Sequence, residues 1–231
     1  MVGSNRVTGE RSDRSSRMLA VIGAAGAGFY ALAVVALHAL DPRSIVLHGN
    51  TMSAYSLGPH GYLSKAAFVV LGLGALALAA GIRGELSASR AGAILVGLFG
   101  VGFVLAGVFD VDLANVEGGA PPDLSGTIHG LAGLGGFVSL IFGMMVLARA
   151  FRRDYRWRSL RVPSLLLGLA ALVLFIGGFT LPNSPAVEWN GGGWIGAIEW
   201  RLFVGTLVAW LLVVAVRLGA VAHGTGEAKS D

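Results

Sequence analysis

Seven polar side chains have the types that acid–base chemistry or headgroup binding would need. Asp112 and His129 could move a proton to or from a bound substrate, since carboxylates and imidazoles are the groups most often used for that purpose. Five more could hold the polar part of a substrate, namely Ser53, Tyr55, Lys65, Glu199 and Arg201. We therefore expect Asp112 and His129 as candidate catalytic residues, and the other five as candidate substrate-binding residues.

The stretch FDVDLANVEGGAPPDLSGTIHGLAGLGGF, residues 109–137, places two aspartates after one apolar segment and a histidine inside the next. Asp110 and Asp112 would end a helix, where the negative end of the dipole disfavours carboxylates by about 0.3–1 kcal/mol. A cation or a hydrogen-bond donor should therefore compensate them. We expect Arg201 to pair with Asp112.

His129 is followed at helical spacing by Gly133, Gly136 and Gly143, and such a stripe of small residues is typical of a helix–helix contact in membranes. The stripe predicts that His129 faces the interior of a bundle, in an outward-opening pocket within reach of Asp112 or Glu199. A structural interpretation stays open, in which the histidine bonds a loop carbonyl or carboxylate and fixes a turn.

Glu199 and Arg201 are two residues apart, so on a helix they point in different directions and need other partners. Lys65 or His129 is the expected partner of Glu199. The neighbouring Trp200, like two tryptophans before it, is expected to anchor the helix in the interface.

The elements that must position these residues are long apolar segments. The chain has 231 residues, 55% hydrophobic and only 13% charged, whereas soluble domains carry about 25% charged residues. Its lack of cysteine excludes disulfides and thiolate chemistry. Each apolar run is near the roughly 20 residues that cross a bilayer. We predict an all-α membrane protein, a six-transmembrane-helix bundle with helices at about 18–40, 62–82, 91–109, 127–151, 162–182 and 194–221.

Fourteen of the 17 lysines and arginines fall on the predicted side that carries both termini, and the positive-inside rule places that side in the cytoplasm. We predict a multi-pass protein of the plasma membrane with both termini cytoplasmic. The membrane domain would cover 17–221, between disordered tails at 1–16 and 222–231. Topology thus explains the basic character, and no nucleic-acid partner is expected.

Four motifs follow one another along the chain in this order: SAYSLGPHGYLSKAAF, FDVDL, TIHGLAGLGGF and GAIEWRL. Together they resemble the prokaryotic membrane-protein family catalogued as domain of unknown function 998, over about residues 18–220. Asp112 and His129 match the family's pattern directly, whereas Asp110 stands where proline is usual and a tryptophan interrupts the Glu-Arg pair. The resemblance implies a six-helix membrane fold and supports the choice of site residues, but it implies no activity.

Two classes of function stay open. The first is an enzyme or binder that acts on a lipid or other amphiphile at the outer leaflet. The second is a non-catalytic subunit or assembly factor with a membrane-protein partner, whose polar cluster is structural. Transport is disfavoured, because the predicted midplane carries almost no polar residues. Whether any reaction is catalysed is left open.

No cofactor is predicted. A metal ion near His129 and Asp112 is an alternative, with His48 or His60 as a further ligand, although the sequence has no closely spaced pair such as His-x-x-x-His. A haem between His38 and His129 would rest on a single axial pair.

Overall fold

A computed structural model describes residues 2–42, 51–86, 89–116, 121–180 and 193–227, with side chains from residue 13 to residue 222 in most of these ranges. The six long helices are α1 (Val2–Leu40), α2 (Gly61–Glu85), α3 (Arg90–Val108), α4 (Leu124–Phe151), α5 (Arg161–Thr180) and α6 (Gly193–Glu227). Each contains a segment long and apolar enough to cross a membrane. The predicted six-helix, all-α architecture is confirmed.

Helix also occurs where the sequence predicts disordered tails. Helix α1 begins at Val2, within the predicted tail 1–16, and α6 continues to Glu227, within the predicted tail 222–231. Adding a residue to an existing helix is much less costly than nucleating a new one, so helix extends from the packed segments into polar sequence. The described residues of both predicted tails are thus helical, and the division of the chain into a membrane domain and two tails stays a prediction.

The helices form a closed ring in chain order, in which each helix packs on its neighbours and α6 returns to α1. Along α1 to α4 the backbones approach closely at glycines. A Cβ on Gly72 would lie 2.6 Å from the carbonyl oxygen of Gly100, and a Cβ on Gly102 would lie 2.5 Å from that of Ala132. Of the stripe predicted on α4, Gly136 and Gly143 face α3, where a Cβ would lie 3.5 Å from the Phe103 ring and 3.2 Å from Leu95, whereas a Cβ on Gly133 would meet nothing within 4 Å.

One end of the bundle, which we call the arginine end, carries both termini and the connection between α4 and α5. Arg156 donates to Glu85 Oε2 at 3.3 Å and to Asp154 Oδ2 at 3.0 Å, and Ser16 donates to Glu85 Oε1 at 2.8 Å. Arg217 of α6 donates to the carbonyl oxygen of Arg156. The connection between α4 and α5 is therefore tied to α1, α2 and α6.

Beneath this network, the fully buried ring of Trp157 stacks on that of Phe151, with centroids 5.2 Å apart. Partial burial opposes ionisation of Asp154, but the hydrogen bonds from Arg156 hold the pKa of that carboxyl below its ordinary value. The opposite end, which we call the histidine end, includes a short 3-10 helix (Met52–Leu57) and the single helical turn Leu113–Val116.

Candidate functional site

His129 lies inside the first turns of α4, at the histidine end. The N-cap of α4 is Asp123, whose carboxylate accepts the Gly126 amide at 2.6 Å. With the start fixed at this point, His129 is only 7% exposed and faces α3.

The partners of His129 are backbone carbonyls. Its Nδ1 lies 2.8 Å from the Ala106 oxygen and 3.3 Å from the Phe109 oxygen, both at the end of α3. Because a carbonyl oxygen only accepts, Nδ1 must carry a proton, which leaves Nε2 as the nitrogen available to a ligand. The expected carboxylate beside His129 is not found among its described partners, and the bond to a carbonyl matches the structural interpretation.

An apolar cavity of about 270 Å³ opens beside His129. Its walls come from all six helices and are rich in aromatic rings. Four of these rings, those of Phe68, Phe137, Phe175 and Trp200, lie on α2, α4, α5 and α6. The described lining residues that carry side-chain polar groups are few, namely Tyr30, Thr51, Ser53, Asn115, His129 and the indole of Trp200. The predicted pocket at His129 therefore exists, with Ser53 of the substrate-binding candidates on its wall.

A second cavity, of about 330 Å³, lies between α1 and α6. It shares Tyr30, Met52 and Val204 with the first, so these three side chains form the partition between the two spaces. Arg201 lines the second cavity, whose other described walls are almost wholly apolar.

Arg201 is held by α1 and by its own helix. Its Nε donates to His38 Nε2 at 2.8 Å, and its Nη1 donates to the Ala197 carbonyl. His38 Nδ1 in turn lies 2.7 Å from the Val34 oxygen. Both nitrogens of His38 are thus engaged, so His38 offers no free nitrogen as an axial ligand.

Tyr55 is fully buried behind this pair, with its ring 5.2 Å from that of His38. Burial raises the pKa of Tyr55, and the positive charge of the nearby Arg201 opposes that shift. Tyr55 was expected to bind substrate. It lines neither cavity, and it instead packs the 3-10 helix against the bundle.

Asp112 organises the loop between α3 and α4. Its Oδ1 accepts the Ala114 amide at 3.1 Å, and its Oδ2 accepts the Asp123 amide at 3.0 Å. These bonds hold the pKa of the carboxyl below its ordinary value, chiefly through Asp123. The expected Asp112–Arg201 pair is wrong, because among the described contacts the carboxylate is taken up by amides of its own loop.

The cation that compensates the end of α3 is Lys65, which forms an ion pair with Asp110. Both side chains are open to solvent, at 37% and 67% exposure, and neither lines the cavities. Lys65 was expected to bind substrate or to pair with Glu199. Lys65 pairs with Asp110 instead, because α2 and α3 pack side by side and the start of α2 lies next to the end of α3.

Glu199 is buried at 6% exposure and packs against the backbone of Gly177 and Gly178 in α5. A Cβ on Gly178 would lie 2.9 Å from Glu199 Oε2 and 3.0 Å from the Trp200 ring, so a larger residue there would displace the Glu199 carboxylate. The expected bond to Lys65 or His129 is not formed within the described residues. Trp200 is buried and lines the first cavity, so its predicted role as an interface anchor was wrong.

Of the seven candidates, the structure brings His129 and Ser53 to one cavity and Arg201 to its neighbour. Sequence reasoning missed Asn115, which bridges the loop and α4: its Oδ1 accepts the Asp112 amide at 2.9 Å and its Nδ2 donates to the Gly126 carbonyl at 3.1 Å. No signal in the sequence distinguished this asparagine, since its role depends on the loop folding back over α4.

Across the described ranges, no group of three or more histidine, aspartate or glutamate side chains converges in the way a metal ion needs. His60 sits at the N-cap of α2, beside Tyr62. The other histidine considered as a metal ligand, His48, lies outside the described residues, as do Trp189 and the side chain of Trp194.

The membrane fold, the closed ring of helices and the buried histidine define an integral membrane protein with a polar-rimmed apolar cavity. The family described as Protein of unknown function (DUF998) matches residues 24–217, and the chain belongs to it. No curated protein and no solved structure matches the chain. The resemblance seen in the sequence motifs is confirmed.

Proposed function

We propose that the protein binds an amphiphile in the cavity at His129, with the apolar part of the ligand against the aromatic rings and its polar group on His129 Nε2. The observation that carries this proposal is an aromatic-lined cavity of about 270 Å³ with one engaged and one available imidazole nitrogen. Ligand sites are typically apolar with a few placed polar groups. A lipid or an isoprenoid with a hydroxyl group fits this chemistry, because the unprotonated Nε2 accepts a hydrogen bond.

The contacts favour binding over catalysis. General acid–base work on a bound substrate needs groups within hydrogen-bond reach of the reacting atoms. Asp112, the expected second catalytic group, bonds two amides of its own loop and is not among the residues that line the cavity. Among the described residues, the partners that orient His129 are then backbone carbonyls and not a carboxylate.

A structural role is the second candidate, and a specific observation favours it. The bond from His129 to the end of α3, the pair Arg201–His38 and the pair Lys65–Asp110 each join two helices. In a non-catalytic subunit or assembly factor, these contacts would serve only to hold the histidine end together. Such a subunit or assembly factor would bind another membrane protein as its partner.

We place the protein in the plasma membrane with the arginine end in the cytoplasm. The support is the distribution of basic residues, 14 of 17 at the end that carries both termini, together with the positive-inside rule. The cavity at His129 would then open in the outer half of the bilayer. Reporter fusions at both termini of the full chain test this orientation, and an external C-terminal reporter would overturn it.

Two substitutions separate the roles of the His129 nitrogens. In His129→Asn the amide nitrogen stands near the position of Nδ1 and keeps the bond to Ala106, but Nε2 is lost. In His129→Gln the amide stands near Nε2, and the bond to Ala106 is lost. Lipids that co-purify with each variant are extracted and identified by mass spectrometry, and thermal unfolding is followed in parallel.

If the cavity binds an amphiphile through Nε2, occupancy falls in His129→Asn while the melting temperature stays near that of the parent. If the histidine is purely structural, His129→Gln loses stability, by about 1–3 kcal/mol for an unpaired buried group, and neither variant changes the bound lipid.

Filling the cavity is an independent test. Gly133 lines the cavity, and a Cβ there would meet nothing within 4 Å, so Gly133→Leu fills the space without a backbone clash. Gly135, two residues away on the exposed face of α4, is equally open and supplies the matched control Gly135→Leu. We expect loss of the co-purified amphiphile only in Gly133→Leu. Equal occupancy in both variants would contradict the proposal.

A further inference from the structure

A separate pocket of about 310 Å³ lies at the arginine end, between the start of α3 and the end of α4. Three arginines line it: Arg90 is the first residue of α3, Arg149 lies in the last turn of α4, and Arg153 follows that helix. The rest of its wall consists of Ser89, Ala91, Val146 and Ala150. All three guanidinium side chains are on exposed residues.

No described side chain neutralises these three charges. The acids nearest in the chain are used elsewhere, because Glu85 and Asp154 both pair with Arg156. The start of α3 adds the positive end of a helix dipole. One amide of its first turn, that of Gly92, already donates to Ser89 Oγ at 3.0 Å. Three like charges at one pocket repel one another, and an anion bound among them would relieve that repulsion.

The surface that continues from this pocket toward the middle of the bundle is apolar. Ile94 and Val101 follow Arg90 at helical spacing on α3, with exposures of 60% and 45%. On α4, Phe142 precedes Arg149 by seven residues and is 51% exposed. A ligand with an anionic group among the arginines and apolar chains along these residues would match both parts of the surface.

We propose that this pocket is a binding site for the phosphate group of an anionic phospholipid, whose acyl chains lie along the groove between α3 and α4. Guanidinium groups bind phosphate oxygens through paired, charge-assisted hydrogen bonds. Basic pockets between membrane helices are a known way to hold such headgroups. The site is independent of the cavity at His129, and it would keep a lipid at the arginine end whether or not that cavity is occupied.

The test uses the full-length protein in nanodiscs of phosphatidylcholine with a minor fraction of phosphatidylglycerol, released for native mass spectrometry. The variant Arg90→Gln/Arg149→Gln/Arg153→Gln removes the site. The matched control, Arg152→Gln/Arg158→Gln/Arg161→Gln, removes the same charge from exposed residues at the same end that do not line the pocket. Melting temperatures show that each variant is folded.

We expect the parent and the control to retain phosphatidylglycerol in preference to phosphatidylcholine. The pocket variant should lose about fivefold in that preference for each arginine, and on the order of a hundredfold for three. Equal losses in the two triple variants would overturn the proposal, because the attraction would then come from the net charge of this end. Release of the lipid by inorganic phosphate at millimolar concentration would also overturn it, in favour of a site for soluble phosphate.

If the pocket variant does not fold, the single variants Arg90→Gln and Arg153→Gln are compared with Arg158→Gln in the same measurement. A preference that falls in both pocket variants and not in Arg158→Gln supports the site. A preference unchanged in all three contradicts it.

Discussion

The two ends of the bundle hold their charged side chains in different ways. At the arginine end, charged side chains pair with one another: Arg156 pairs with Glu85 and Asp154. The stacked rings of Phe151 and Trp157 fill the space beneath them. At the histidine end, two polar side chains bond backbone instead: the buried His129 bonds carbonyls at the end of α3, and the half-buried Asp112 bonds amides of its loop.

The two ends differ in whether the hydrogen-bond partner of a polar side chain is another charged side chain or the backbone. Around Arg156, ion pairs and the stacked rings of Phe151 and Trp157 fill the space between the helices, whereas an apolar cavity lies beside the hydrogen-bonded His129. Two cavities lie at the histidine end, and the pocket lined by Arg90, Arg149 and Arg153 at the other end lies outside the Arg156 network. We therefore expect changes in the Arg156 network of the arginine end to act on stability, and changes around the cavity at His129 to act on binding.

The largest effect is expected from Arg156→Gln. The change leaves Glu85, whose side chain is 9% exposed, with the Ser16 hydroxyl as its remaining partner. Breaking a fully buried pair costs roughly 3–5 kcal/mol. Because Arg156 is 26% exposed, we expect about 2–3 kcal/mol here, measured by reversible unfolding in mixed micelles.

A double-mutant cycle with Glu85→Gln should show strong coupling, and the exposed Arg158→Gln serves as the control, with a change within about 0.5 kcal/mol. Additive losses from Arg156→Gln and Glu85→Gln would mean that the arginine end is not held by this pair.

A smaller effect is expected from Arg201→Gln, which loses the bond to His38 Nε2. Hydrogen bonds to charged groups contribute about 1.5–3 kcal/mol, and part of this would be recovered by the glutamine amide. Since Asp112 and Arg201 do not share a contact, the losses from Asp112→Asn and Arg201→Gln should add within about 0.5 kcal/mol. Clear non-additivity would restore the pair that the sequence suggested.

A still smaller effect is expected from Lys65→Gln. Its ion pair with Asp110 is exposed, and exposed pairs contribute about 0.2–1 kcal/mol that salt screens further. The difference in unfolding free energy between Lys65→Gln and the parent should shrink as salt is added. A loss as large as that of Arg156→Gln would remove the contrast between the two ends.

The smallest effect is local and depends on pH. The folded-state pKa of Asp112 is lowered, chiefly by the Asp123 amide. Its contribution to loop stability is therefore present above the ordinary carboxyl value near 4 and is lost as pH falls through the lowered pKa. Hydrogen exchange at the Asp123 and Ala114 amides, corrected for intrinsic rates, should accelerate at acidic pH in the parent. Asp112→Asn should show no such dependence.

The six helices could be predicted from sequence because each is a long apolar run, and the burial of His129 followed from the glycines after it. Trp200 and Asp112 could not be placed in the same way. An interface anchor and a cavity wall use the same side chain, and only contacts with other helices, such as those of Trp200 with Phe137 of α4 and Phe179 of α5, distinguish them. Likewise a carboxylate at a helix end accepts an arginine or a loop amide equally well, and the fold of the loop decides.

The close approach of α2 to α3 has a consequence for mutational tolerance. At Gly72 and Gly100 the two backbones meet with no side chain between them, since a Cβ on either would lie within 2.8 Å of the carbonyl oxygen of the other. No rearrangement of neighbouring rotamers can make room there, because the obstacle is main chain. In a saturation library these two positions should accept glycine alone, while Leu73, exposed beside them, should accept most apolar residues. Sequence variation in this protein should therefore be limited less by hydrophobicity than by the distance between helix axes.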